Sequence, residues 1–269
     1  MKLFRKILKS LLLVIAGLVF IFFTLWAIRK FRVVKEITQI NTSHFQINYK
    51  GILKTEAEDI SKSLEENYNR IRTELNDPEH NTISVFIHST QNDFNSATGL
   101  KNSTANGASR GPKAFHLMYQ TWFNSVFPDD MTKVAVHEFT HCVQLNILIQ
   151  DALSKSKKSD DAAFDKNFEQ QFSEKYPQWF WEALCDYEAG IINKMSVKHG
   201  MKGKPTLKFL NTSNQIYNTG YTIIEYIVTK WGKEKLPDLI RTYCDLKKVL
   251  QITESEFEQE WHKFVQEKY

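Results

Sequence analysis

His137-Glu138-Phe139-Thr140-His141 is the segment of this 269-residue chain whose residue types and spacing could do chemistry. On a helix, residues four apart lie one turn above each other. Both imidazoles then face one side and can offer two nitrogens to a single Zn²⁺. Glu138, one residue on, projects beside that site, where its carboxylate can take a proton from an attacking water. Two partly exposed histidines on an ordinary helix would give the same pattern. The surroundings argue for a metal: Val134, Val136, Val143 and Leu145 make the segment apolar, and buried polar groups need partners.

A catalytic zinc site takes three protein ligands and keeps one position open. Further along, Pro177 to Tyr187 (PQWFWEALCDY) carries Glu182 and Asp186, spaced to share one helical face. Glu182 is the candidate third ligand. Asp186 can accept a hydrogen bond from the second nitrogen of a ligating histidine, which fixes the tautomer and raises ligand basicity. A surface Glu/Asp pair is the bland alternative, and the first motif decides against it.

These residues need a scaffold, and the hydrophobic pattern supplies an α+β one. His44 to Lys50 (HFQINYK) alternates as a strand does. Ala57, Ile60, Leu64, Tyr68, Ile71 and Leu75 form one face of a long amphipathic helix that Asn76-Asp77-Pro78 stops. Ile83 to His88 (ISVFIH) is the next strand, residues 99–112 a Gly/Ser/Asn-rich loop, and Ala114 to Tyr119 (AFHLMY) a third strand. Pro128-Asp129-Asp130 then opens a helix with an Asp as N-cap, running to about Gln150 and containing the histidines. Residues 152–175 read as a charged surface insertion or mobile helix, and from Tyr176 onward the chain reads as helical. The three cysteines (Cys142, Cys185, Cys244) cannot close a disulfide framework and read as small apolar packing residues. His44, His80, His88, His116, His199 and His262 have no ligand spacing.

Residues 11–28 (LLLVIAGLVFIFFTLWAI) are an apolar run flanked by cations on both sides. A bilayer-spanning helix needs about 20 such residues. Trp26, Ile28, Arg29 and Lys30 stand where a cleavage site would want small residues, so an uncleaved anchor is preferred over a signal peptide. A short head and a large folded tail imply a single-pass protein with its C-terminal part outside the cytoplasm. Residues 1–36 thus form the anchor and its flanks, 37–269 the folded domain, and 32–43 a connector. Eight of the 35 Lys and Arg lie in the first 36 residues, leaving 27 basic against 30 acidic residues beyond them. That balance gives no electrostatic case for nucleic acid.

The order of strand (HFQINY), long helix, strand (ISVFIH), Gly/Ser loop, strand, H-E-x-x-H and then P-x-W-x-x-E resembles the gluzincin zinc metallopeptidases. It is most similar to peptidase-MA-like bacterial proteins related to the M1 aminopeptidases. The likeness extends over most of residues 44–245. It implies a thermolysin-like domain, with an N-terminal sheet lobe, a helical C-terminal lobe and the cleft between them. It also implies hydrolysis of peptide or protein substrates, with Zn²⁺ on His137, His141 and Glu182. Within Ile216-Tyr217-Asn218-Thr219-Gly220-Tyr221, the same resemblance makes Tyr217 the better candidate for a catalytic tyrosine, with Tyr221 second. Such a phenol donates to the developing oxyanion. Ala183 departs from the Gly that such proteins usually carry after the ligand Glu. Asn106-Gly107-Ala108 lacks the acid that would hold a free amine, which favours an endopeptidase. A substrate strand is expected to add to a sheet edge at Phe115, His116 and Leu117. The rival readings are a non-catalytic tethered binding or sensing module and a zinc amidase acting on a non-peptide envelope substrate.

Overall fold

Residues 2–77, 81–155 and 161–269 are described in the computed structural model, so Pro78, His80 and residues 156–160 of the charged stretch lie outside the described residues. The first half of the chain supplies α1 (Lys2–Arg32), β1 (Thr38–Asn41), β2 (Phe45–Tyr49), α2 (Lys54–Glu74), β3 (Ile83–His88), α3 (Gln91–Thr98), β4 (Gly107–Ser109) and β5 (Ala114–Met118). Helices follow: α4 (Met131–Lys155), α5 (Asp161–Lys175), α6 (Gln178–Ala189), α7 (Lys194–Gly200), α8 (Leu207–Leu210) and α9 (Ile216–Trp231). The last are α10 (Leu236–Arg241), α11 (Leu246–Leu250) and α12 (Glu254–Lys268). The α+β expectation holds.

The strands form one mixed sheet in the order β1-β2-β3-β5-β4, with the β2–β3 and β3–β5 pairs parallel and the outer pairs antiparallel. Period-two alternation turns Phe45, Ile47, Ile83, Val85, Phe115 and Leu117 to one buried face. The apolar stripe of α2 (Ala57, Ile60, Leu64, Tyr68, Ile71) shares that core with α4. Phe139 of α4 stacks on Tyr68 at 5.6 Å and meets Phe45 edge-on at 5.3 Å. The residue between the two metal-motif halves is therefore a core anchor that turns the histidines away from the sheet.

Two expected features are corrected. The connector at 32–43 contains β1, whose short TQIN sequence lies half in solvent and shows little apolar alternation. The loop at 99–112 contains β4, which pairs with β5 through Gly107↔Leu117 and Ser109↔Phe115. β5 is consequently an interior strand. Phe115 and Leu117 are wholly buried in the core, so these residues cannot offer a free edge to a substrate.

α1 is long and apolar enough to cross a membrane, and its apolar stretch is not buried against the rest of the chain. Its exit is fixed. Arg29 donates to both oxygens of Glu56, at 2.5 and 2.9 Å, while Glu56 also accepts from the Leu53 amide at 2.8 Å and so caps α2. Val34 adds backbone bonds with Ile52 and Gly51. The start of α4 is as expected: Asp130 Oδ1 accepts from the Thr132 amide at 3.1 Å.

On the other face of the sheet, His88 Nε2 lies 3.0 Å from His116 Nδ1, with Phe86 stacked on the His116 ring. Burial, and then the neighbouring His88 and Arg110, press His116 down to about 4. An unfolded His titrates near 6.5, so between pH ~6.5 and ~4 the unfolded chain binds more protons than the folded one. Stability is full above that window and falls as pH is lowered through it. His116→Gln is expected to flatten this part of the stability–pH curve by about 1 kcal/mol, given the side chain's partial exposure. Unfolding midpoints recorded from pH 7 to 4 check this, and parallel curves for the two proteins would refute it.

Candidate metal centre

Three helices meet at the site, and each has a local reason to be there. α4 is tied to the end of α2 through Asp77, which accepts from Arg72 and from Asn146 Nδ2, both at 2.6 Å. α6 begins at Pro177, whose fixed φ suits a helix start, and ends at Gly190 in the left-handed region, φ 62°. Arg70 of α2 clamps its far end by pairing with Glu188 and donating to the Glu188 carbonyl at 2.7 Å. α9 crosses α6 closely at Gly220, where an added Cβ would sit 3.2 Å from Ala183 Cα.

The crossing of α4 and α6 brings the predicted ligands together. His137 Nε2 lies 3.3 Å and His141 Nε2 3.7 Å from the same atom, Glu182 Oε2. The other Glu182 oxygen accepts from Gln178 at 2.8 Å. The far nitrogens are also engaged: His137 Nδ1 lies 3.0 Å from Asp186 Oδ1, and His141 Nδ1 lies 3.0 Å from Cys185 Sγ. His137, His141, Glu182, Asp186 and Cys185 are all buried. His137, His141 and Cys185 form a cluster with donor atoms within 4.8 Å of one another, and it could hold a metal ion.

Glu138 points to the other rim. Ser109 Oγ of β4 donates to Glu138 Oε2 at 3.4 Å, and a Cβ built on Gly107 would fall 2.2 Å from Glu138 Oε1. The edge strand therefore lies directly over this carboxylate, and a side chain at 107 would force Glu138 to shift. Tyr217 is exposed on α9, and its phenol is pushed up by partial burial and then by the charges of Glu182, Asp186 and Glu138. Tyr221, by contrast, packs on Tyr187 at 5.2 Å and responds to burial and then to Glu225 and Glu188. Of the two candidate tyrosines, Tyr217 is the one whose phenol feels the charges of Glu182, Asp186 and Glu138.

Burial and ion pairing shift the acids and one imidazole of this cluster in opposite directions. Glu138, Glu182 and Asp186 are three carboxylates buried around two imidazoles. Burial raises Glu138 and Asp186. Burial would also raise Glu182, yet its contacts with His137 and His141 hold it well below the carboxylate range. Burial would depress His137, but Asp186 and Glu182 hold it well above its ordinary value. A divalent cation would answer the carboxylates while leaving the imidazoles neutral, as ligation requires.

Several parts of the site carry no motif. Cys185 lies at the cluster and is more than a packing residue, whereas the packing role holds for buried Cys142 and Cys244. Its place three residues after Glu182, on the ligand face, was the available signal. Gln144 is likewise three residues after His141, and donates at 3.1 Å to Cys185 Sγ and to the Trp181 carbonyl. Trp181 stacks on His141 at 4.0 Å. Part of the charged stretch also reaches this wall: Phe172 of α5 meets Trp181 at 5.2 Å, so that portion is docked helix. A scan of protein-family models returns no match, and neither does a search of curated proteins.

Gly107→Ala is expected to destabilise the fold by roughly 1–3 kcal/mol through overpacking against Glu138. Combining it with Glu138→Ala, which removes the obstructing atoms, should recover most of that loss. A double-mutant cycle on unfolding free energies measures the coupling. Additivity within about 0.5 kcal/mol would show that the contact does not exist.

Proposed function

We propose that this chain is a membrane-anchored zinc metallopeptidase of the gluzincin type, an endopeptidase with a thermolysin-like domain at residues 37–269 behind an anchor at 1–36. The observation that carries the reading is the approach of two Nε2 atoms, one helical turn apart, to a single Glu182 oxygen at 3.3 and 3.7 Å. Tetrahedral zinc with bonds of ~2.0–2.1 Å keeps neighbouring donors roughly 3.4 Å apart. The buried donor set of two imidazoles and one carboxylate fits that ion. Cys185 is the competing third donor, but it lies beside His141 Nδ1. One imidazole cannot aim both nitrogens at one ion. We assign Cys185 the outer role of accepting from His141 Nδ1–H, parallel to Asp186 behind His137.

When bound, zinc would supply Lewis acidity, polarising a carbonyl and lowering the pKa of water towards 7. The chain's own residues account for the remaining needs. Glu138 takes the proton of the attacking water and returns it to the leaving amine, and burial raises its carboxyl towards the range useful near neutral pH. Tyr217 donates to the developing oxyanion. β4 has no strand on its outer side among the described residues. An extended peptide can pair with it there, which moves the expected docking edge from β5 to β4.

The test is zinc content and peptide-library cleavage of the full chain in detergent, wild type beside Glu182→Ala and Glu138→Gln. Wild type and Glu138→Gln should carry zinc in equal amounts, and Glu182→Ala should lose it. Glu138→Gln should cut peptides about 10²–10⁴-fold more slowly. Folded wild type without zinc refutes the proposal. Zinc without cleavage favours the tethered binding module, and cleavage confined to non-peptide amides favours the envelope amidase.

A further inference from the structure

Between Lys113 and Asp129 the chain carries no Asp, Glu, Lys or Arg. Within that stretch, the connection from β5 to α4 holds large apolar side chains out of the core: Trp122 is 71% exposed, Val126 75% and Phe127 83%. A soluble surface seldom displays such a run without a partner for it. The neighbouring Phe123 indicates which partner. Its ring packs on Phe22 of α1, with centroids 5.4 Å apart.

Phe22 precedes Arg29 by seven residues, about 10 Å along a helix. Arg29 is held on the domain by Glu56 and marks where α1 leaves it. Phe123 therefore lies beside the apolar stretch of α1, well past its charged end. We infer that Thr121–Phe127 is a second membrane contact, dipping into the leaflet beside α1. The inference rests on the reading of α1 as a membrane span.

The first turn of the loop, Thr121–Ser125, satisfies part of its own backbone, which lowers the cost of placing it among headgroups and the upper acyl chains. Thr121 and Asn124 exchange bonds, with the Thr121 amide donating to Asn124 Oδ1 at 2.6 Å and the Asn124 amide to the Thr121 carbonyl at 3.1 Å. The Phe123 amide donates to Thr121 Oγ1 at 3.2 Å, and the Ser125 amide to the Thr121 carbonyl at 2.8 Å. Its base is closed by side chains: Gln120 donates to Asn106 at 2.7 Å and accepts from the Asp129 amide at 2.9 Å, while Asn106 donates to Asp129 at 2.5 Å. A gap of about 490 Å³ between loop and α1 is lined by Trp26 and Phe123 and by Arg29 and Lys30. With Arg29 committed to Glu56, Lys30 is the cation left on this lining to face a lipid phosphate. Because Asn106 adjoins β4 and Asp129 adjoins α4, an inserted loop would hold the metal centre's edge strand and helix at the bilayer surface.

The test uses the full chain reconstituted in phosphatidylcholine/phosphatidylglycerol vesicles containing spin-labelled phosphatidylcholine. Val126→Cys, Leu13→Cys and Met195→Cys are each labelled with an environment-sensitive fluorophore, the three native cysteines being buried. Leu13 reports the span, and Met195, exposed on α7, reports water. Strong quenching at 126 and 13 with little at 195 is expected. Quenching at 13 but not at 126 overturns the loop contact and leaves the anchor standing. A blue-shifted but unquenched probe at 126 also overturns it, because a second copy or another protein would then cover the loop. No quenching at either position sinks the span and the inference together.

Discussion

An imidazole has two nitrogens and can commit only one of them to an ion, so the protein must engage the other. Here both rings lie on α4, and the groups behind them, Asp186 and Cys185, both lie on α6. The same helix supplies Glu182 to the front nitrogens. The relative placement of two helices therefore decides how the imidazoles meet Glu182, Asp186 and Cys185. Groups of this kind are expensive to bury: each unpaired ion in a protein interior costs several kcal/mol. The crossing must accordingly be held from outside the site. Arg72–Asp77–Asn146 holds α4, and Arg70–Glu188 holds α6. Both clamps are anchored on or just beyond α2, so one long amphipathic helix sets the position of both helices that carry the cluster.

That dependence explains what could be read in the sequence. The histidine pair and the Glu182/Asp186 pair are legible because a step of four puts two residues on one helical face, and the α4–α6 crossing sets those two faces against each other. The strands at Phe45–Tyr49 and Ile83–His88 were legible because each has one buried face and strict alternation. β1 and β4 were not. A strand of three small residues, or one lying half in solvent, leaves no periodic trace, and pairing with a neighbour is what defines it. α3 was passed over for a similar reason, since Phe94 is the only large apolar residue in QNDFNSAT. The error over β5 follows from these omissions. With β4 read as loop, the strand beside it looked like an edge.

Gly107 shows how a residue with no side chain can shape a site. It stands on the strand that pairs with β5 on one side and has no strand on its other side among the described residues. The absence of a Cβ there lets the backbone come down onto Glu138. In a strand interior glycine normally weakens pairing, and close approach is the usual compensation. Strand and carboxylate are thus positioned by one contact, so a peptide paired with that strand would lie alongside the group proposed to handle its protons.

The same reasoning applies to Ala183, which departs from the expected pattern next to the proposed ligand Glu182. A glycine after the ligand Glu would allow another helix to approach α6 closely. Here the residue is alanine, and the space is provided from the opposite side by Gly220 of α9, whose missing Cβ would meet Ala183 at 3.2–3.3 Å. Moving the small residue from one helix to the other preserves the approach. Tyr217 lies one turn before Gly220 on α9, so the close crossing carries its phenol within the influence of Glu182 and Glu138, while Tyr221 turns towards Tyr187. The departure at Ala183 therefore leaves the placement of the tyrosine intact, because the constraint acts on the helix pair and not on a single position.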